Sequence, residues 1–83
     1  MMLELVFYGP LADLFGREKN YEVPDSAATI ADLVAALIQQ FPDAAGALGS
    51  ERMSFAVDDQ IVQASHGLNG LKRIEFFPPV SGG

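Results

Sequence analysis

The sequence predicts an α+β roll, in which a mixed sheet of four to five strands packs on one main helix. Three observations carry that expectation. Residues 29–41 repeat their apolar side chains with helical period, while segments at both ends of the chain alternate with period two. The elements run strand, strand, helix, short strands, final strand. A single amphipathic helix needs a surface to cover, and a sheet supplies it. At 83 residues and 49% hydrophobic, the chain is expected to be one domain, 1–83, with a thin core and a flexible tail over residues 78–83. It has no Cys, so packing rather than disulfides must hold it together.

Each element has a local reason. Leu3, Leu5 and Phe7 alternate with Glu4, Val6 and Tyr8, a strand whose odd-numbered set faces the core. Gly9 and Pro10 break it, residues 11–15 form a helical turn or loop, and Gly16 closes it. Residues 20–23 read as a second strand ended by Pro24, pairing antiparallel with the first. Ile30, Leu33, Val34, Leu37, Ile38 and Phe41 then make one helix face. Thr29 is its N-cap, Asp32 completes a weak capping box, and Pro42 stops it. A short turn covers residues 43–48, and residues 53–57 and 61–63 are strands around a turn at Asp58, Asp59 and Gln60. Residues 73–77 form the last strand, with Ile74 and Phe76 on one face and Glu75 and Phe77 on the other. The first and last strands are the most apolar and are expected side by side at the centre. This ββαββ order resembles the β-grasp, or ubiquitin-like, arrangement.

Charge narrows the partners. Eleven Asp and Glu against five Lys and Arg give a net −6. Nucleic acid and anionic membrane surfaces are therefore not expected partners, since both recruit clustered basic side chains. The acidity suits either solubility alone or docking on a basic protein surface. No apolar run approaches the roughly 20 residues of a membrane span. The first eight residues hold Glu4 and no basic residue, unlike a secretory signal, so a cytoplasmic location is expected.

Residues able to do chemistry inside the domain are few. His66, in a Ser-His-Gly stretch, has no orienting carboxylate nearby in sequence and reads as a loop histidine. Asp58 and Asp59 lack ligand spacing with His66 and read as a turn, so no metal site is expected. The glycines sit at element ends rather than in a phosphate-binding loop.

The end of the chain, Phe76-Phe77-Pro78-Pro79-Val80-Ser81-Gly82-Gly83, is more specific. Pro78 and Pro79 force the residues before them into extended conformations, which makes the exit from the last strand stiff. The four residues after Pro79 reach at most about 14 Å. Gly82 and Gly83 carry no Cβ and can enter a channel too narrow for other residues. A terminal carboxylate is inert until activated, for example as an acyl adenylate. A frayed tail or an expression remnant also ends this way. Phe77, Val6 and Tyr8 share the face away from the helix, where they form either an exposed apolar patch beside the tail or a surface covered by a loop.

The whole chain resembles the small, sulfur-carrier subunit of molybdopterin synthase, the MoaD family. The resemblance rests on the length, the element order, Ala56-Val57 before the turn at 58–60 and, above all, the terminal FFPPVSGG. It implies a carrier that is not catalytic alone but donates sulfur within a sulfurtransferase complex. An E1-type, MoeB-like enzyme would use ATP to adenylate Gly83, and sulfur would displace AMP to leave a thiocarboxylate. The tail would then enter the active site of a large, MoaE-like subunit, in a heterotetramer, and give its sulfur to cyclic pyranopterin monophosphate. The resemblance makes Gly83 the reacting residue and Gly82 its unhindered neck. Phe77, Pro78, Pro79, Val80 and Ser81, with Val6 and Tyr8, become the partner contacts. No cofactor is expected on this chain itself.

One departure concerns Lys72 and Arg73, which stand where family members often carry acidic residues and reverse the local charge. The absence of Cys fits a carrier that holds sulfur as an acyl group rather than a persulfide. Three other functions fit the same tail: a ThiS-like donor for thiazole synthesis, a ubiquitin-like modifier joined through Gly83 to lysines, and a binding module with an inert tail.

Overall fold

The computed structural model describes residues 1–79. Strand β1 (Met2–Phe7) leads into a short helix α1 (Pro10–Phe15), and β2 (Glu18–Glu22) returns beside β1. The main helix α2 (Ile30–Gln40) follows, then a 3-10 turn (Pro42–Ala44) and a single turn of helix, α3 (Ala45–Leu48). The hairpin β3 (Ser54–Val57) and β4 (Gln60–Val62) precedes the last strand, β5 (Arg73–Phe77). The sheet order is β2-β1-β5-β3-β4. β1 and β5 run parallel, and the other neighbours run antiparallel. This is the β-grasp arrangement, with the first and last strands adjacent as their apolar alternation predicts.

β2 begins two residues earlier than expected. Its sequence, Glu-Lys-Asn-Tyr-Glu, has one apolar residue, so its own pattern is faint. The ladder to β1 defines it, running from Val6 opposite Glu18 to Met2 opposite Glu22. Such an edge strand is specified more by its partner's backbone than by its side chains. β3 and β4 each start one residue away from the expected position. Their two-residue turn places Asp58 and Asp59 at φ 51° and 65°. Positive φ at both central residues is the primed geometry whose twist matches a hairpin, and Asp tolerates it better than most side chains.

The core lies between α2 and one face of the sheet. Leu3, Leu5 and Phe7 of β1 and Ile74 and Phe76 of β5 are fully buried there with Ile30, Leu33 and Leu37 of α2. Val34, Ile38 and Phe41 flank that stripe and are only partly buried. α2 starts as its sequence predicts. The Thr29 hydroxyl accepts the Asp32 N–H at 3.2 Å, and the Asp32 carboxylate accepts the N–H groups of Thr29 at 3.2 Å and Ala28 at 2.9 Å. These backbone hydrogen bonds, Ala28 first, hold the Asp32 carboxyl below the usual aspartate value. No helix among the described residues is long and apolar enough to cross a membrane.

Candidate functional site

The last described residues leave the sheet from its centre. β5 is parallel to β1 and antiparallel to β3, so the chain exits where β1 ends and β3 begins. Phe77, the last residue of β5, pairs with Ser54 on the β3 side, while the ladder to β1 stops one residue earlier, at Phe7 opposite Phe76. Val80, Ser81, Gly82 and Gly83 lie outside the described residues.

At this exit the open face of the sheet carries a compact set of side chains. The Tyr8 and Phe77 rings stack with centroids 4.7 Å apart and planes within 6° of parallel. The Tyr8 hydroxyl donates to the Glu75 carboxylate at 2.6 Å. The Arg17 guanidinium sits 4.7 Å from the Tyr8 ring centroid, a cation–π distance. The Glu75 hydrogen bond is the main reason the Tyr8 phenol is held above the usual tyrosine value, against a smaller opposing effect of Arg17. At neutral pH Tyr8 is therefore a protonated donor. Arg17 is brought here by the hydrogen bond from the Phe7 N–H to the Arg17 carbonyl, 2.9 Å, which ties the end of β1 to the approach to β2.

Gly9 completes the set. Its φ of +63° lies in the region that favours glycine, and a Cβ placed there would sit 3.3 Å from the Pro78 ring. Pro10 at the first position of α1 fits a helix start, where an N–H is not needed.

The predicted site residues are thus only partly brought together. Phe77, Pro78 and Tyr8 meet at the exit, and Pro79 follows them, half-buried. Of the two arrangements expected for this face, an exposed patch or a covered surface, Val6 takes the covered one: it is only 2% exposed. It lies in the middle of the open face, with Glu18 of β2 and Glu75 of β5 as its register partners. Tyr8 and Phe77 also cover one another, so the surface they offer is the outside of a stack rather than three free apolar side chains. Sequence reasoning missed Glu75, Arg17 and Gly9. Alternation does put Glu75 on the face of Phe77, but only the register brings it to Tyr8.

The other candidates are occupied by structural roles. His66 Nδ1 lies 2.8 Å from the Gly67 carbonyl, which requires the proton on Nδ1, and the His66 carbonyl accepts the Ile30 N–H at 3.0 Å. Arg73 pairs with Glu4 at 3.2 Å, which offsets half of the charge reversal at Lys72 and Arg73. Two concavities of about 440 and 460 Å³ are open depressions along α2, one lined by Pro24, Asp32 and Gln39 and the other by Val34, Met53 and Ile61. Among the described residues no three His, Cys, Asp or Glu side chains gather as metal ligands.

Comparison with known proteins agrees with the fold. The ThiS family pattern matches residues 5–83. Two solved structures superpose over nearly the whole chain. SAMP1 from Haloferax volcanii matches with a TM-score of 0.77 at 23% identity, covering 100% of both chains. A putative molybdopterin converting factor, subunit 1, from Pyrococcus furiosus matches with a TM-score of 0.68 at 19% identity, covering 96% of this chain and 99% of that one. Comparison with curated proteins gives no match.

Proposed function

The chain belongs to the ThiS family of ubiquitin-like sulfur carriers, and from that premise we propose that it is the carrier subunit of a molybdopterin synthase. The observation that carries this reading is the FFPPVSGG end. It continues from the central strand of the sheet, with Phe77 stacked at the root, a Pro-Pro spacer, and glycines at the tip. The Pyrococcus furiosus neighbour, named as a molybdopterin converting factor subunit, supports the same choice through the shared fold.

In this reading Gly83 is the reacting residue. A carboxylate oxygen attacks the α-phosphorus of ATP on an E1-type, MoeB-like enzyme, and pyrophosphate leaves. A sulfide-level nucleophile then attacks the acyl carbon, AMP leaves with the bonding electrons, and a thiocarboxylate remains. Gly82 lets the tip pass through a narrow channel because no Cβ obstructs it. Phe77 and Tyr8 meet the large, MoaE-like subunit at the channel mouth, with Pro78, Pro79, Val80 and Ser81 spanning from there to the acceptor. The net charge of −6 favours encounter with basic surfaces on these partners. The chain supplies a placed acyl group, and its partners supply the nucleotide and acceptor sites.

The family match itself favours a second reading, sulfur donation to thiazole synthesis, with the same chemistry at Gly83. The recipient separates the two. Thiocarboxylated protein mixed with a purified large subunit and cyclic pyranopterin monophosphate is expected to form molybdopterin with loss of the carrier's sulfur. Deleting Gly83 leaves the carboxyl carbon about 3.5 Å short of its station. A displacement of about 1 Å can already cost around a hundredfold in rate, so the deletion is expected to abolish transfer. Sulfur that stays on the carrier in this assay but passes to a thiazole synthase identifies the second reading. Gly83 found joined to protein lysines identifies a modifier instead.

A further inference from the structure

Two consecutive residues at the end of β1 grip the start of the tail, at the point where the β1–β5 ladder has stopped. Tyr8 spans Glu75 and Phe77, bonding one by its hydroxyl at 2.6 Å and stacking on the other at 4.7 Å. Gly9 lies against Pro78 so closely that a Cβ would press on the proline ring at 3.3 Å. On the far side Phe77 is the register partner of Ser54 on β3. The β5 end is therefore flanked by the β3 ladder on one side and by the two residues that follow β1 on the other.

We propose that Tyr8 and Gly9 form a clamp that sets the direction in which the chain leaves the domain after Pro79, with Tyr8 as a positioning residue for the group carried at Gly83. A stacked pair alone would leave the Tyr8 ring free to slide in its own plane. The hydroxyl bond to Glu75, two residues before Phe77 on the same face, removes that freedom. Arg17 packed on the ring adds a third contact from the β2 side. The proline ring beside Gly9 then carries the fixed direction through Pro79, because each proline fixes its own φ and holds the residue before it extended. Four residues span at most about 14 Å when fully extended, so a tilt of about 20° at the root would move the end of such a span by up to about 5 Å. For a carrier, that displacement decides whether the carboxyl carbon reaches its station. The purpose of the clamp rests on the carrier reading, but its geometry does not.

The test uses the full chain, which has no Cys, so introduced cysteines are the only labelling sites. Nitroxides at Gln39→Cys, on the exposed side of α2, and at Ser81→Cys report a distance distribution by pulsed electron paramagnetic resonance. Tyr8→Leu and Gly9→Ala are expected to shift or broaden that distribution by up to about 5 Å, the displacement of the extended span above, with circular dichroism unchanged. Tyr8→Phe, which loses only the Glu75 bond, moves it less and in the same sense. Should Tyr8→Leu and Gly9→Ala fail to fold, Tyr8→Phe and Arg17→Ala carry the test. A wild-type distribution in every folded variant overturns the clamp. The measurement needs no acceptor, so failure of wild-type protein to form molybdopterin removes the molybdopterin synthase reading without touching this result.

Discussion

Phe76 and Phe77 are neighbours in sequence and face opposite ways on one strand. Phe76 is fully buried, packed on Phe7 at 5.0 Å and edge-on to Phe55 at 5.5 Å. Phe77 is half-buried and stacks on Tyr8 with a carboxylate and a guanidinium close by. The same contrast runs along β1 and β5. One face presents Leu3, Leu5, Phe7, Ile74 and Phe76 to the helix. The other carries Glu4 paired with Arg73, then Val6 beside Glu75, then the aromatic stack. The helix-side face is spent on stability. The open face keeps polar groups next to apolar ones, which suits a surface that must stay soluble alone and become covered in a complex.

Substitutions should separate the two faces. The largest effect is expected on the core side, where Phe76→Ala should lose about 3–5 kcal/mol and Leu37→Ala about 2–5 kcal/mol in denaturant melts. A loss near zero for Leu37 would contradict the helix register. Phe77→Ala should cost the isolated chain only about 0.5–1.5 kcal/mol, the value of an aromatic pair. It should nevertheless weaken binding to the large subunit by about 2 kcal/mol or more if Phe77 is a central anchor. A large drop in melting temperature with unchanged binding in calorimetry would make Phe77 a core residue like its neighbour.

Away from both faces the effects are smaller and sharpen the account of the helix and the hairpin. Thr29→Ala removes the N-cap of α2 and should cost about 1 kcal/mol. Asp32→Asn should also be less stable than wild type at neutral pH. The folded carboxyl titrates below its usual 3.8, so its contribution is present above that value and lost as pH falls through the lower folded one. Acid melts of the pair should therefore begin to converge as pH falls below 3.8 and meet once it is below the lowered folded value. A gap that does not narrow over that range would mean the carboxylate is not the cause. Asp59→Gly relieves a left-handed side-chain residue, but Asp adopts that conformation for less than the about 1–2 kcal/mol it costs most side chains, and the added glycine entropy is about 0.4–1 kcal/mol. Thermal unfolding is therefore expected to change by no more than about 0.5 kcal/mol in either direction, and a larger gain would show that Asp59 is strained.

The elements that read clearly were those whose own side chains decide them. α2 declares itself by six apolar residues at helical spacing and a Thr-Ile-Ala-Asp start, and both halves of the capping box form. β1 and β5 declare their centrality by apolar alternation. β2 reads poorly because its pattern is polar and its partner's backbone specifies it. The candidate site divides in the same way. Phe77, Pro78 and Tyr8 were legible from alternation and the Pro-Pro break. The burial of Val6 was not, because exposure at the middle of a sheet depends on the side chains of neighbouring strands. Glu75 and Arg17 join Tyr8 through strand register and a loop hydrogen bond, neither of which leaves a spacing in the sequence.

The central claim, that Gly83 carries sulfur as an acyl group, is tested most directly by the intact mass of the protein after incubation with an E1-type activating enzyme, ATP and a sulfide source. The account predicts the mass shift of one oxygen exchanged for sulfur, dependent on ATP and confined to the peptide that ends in Gly83. An unchanged mass, or sulfur mapped to any other residue, would contradict it.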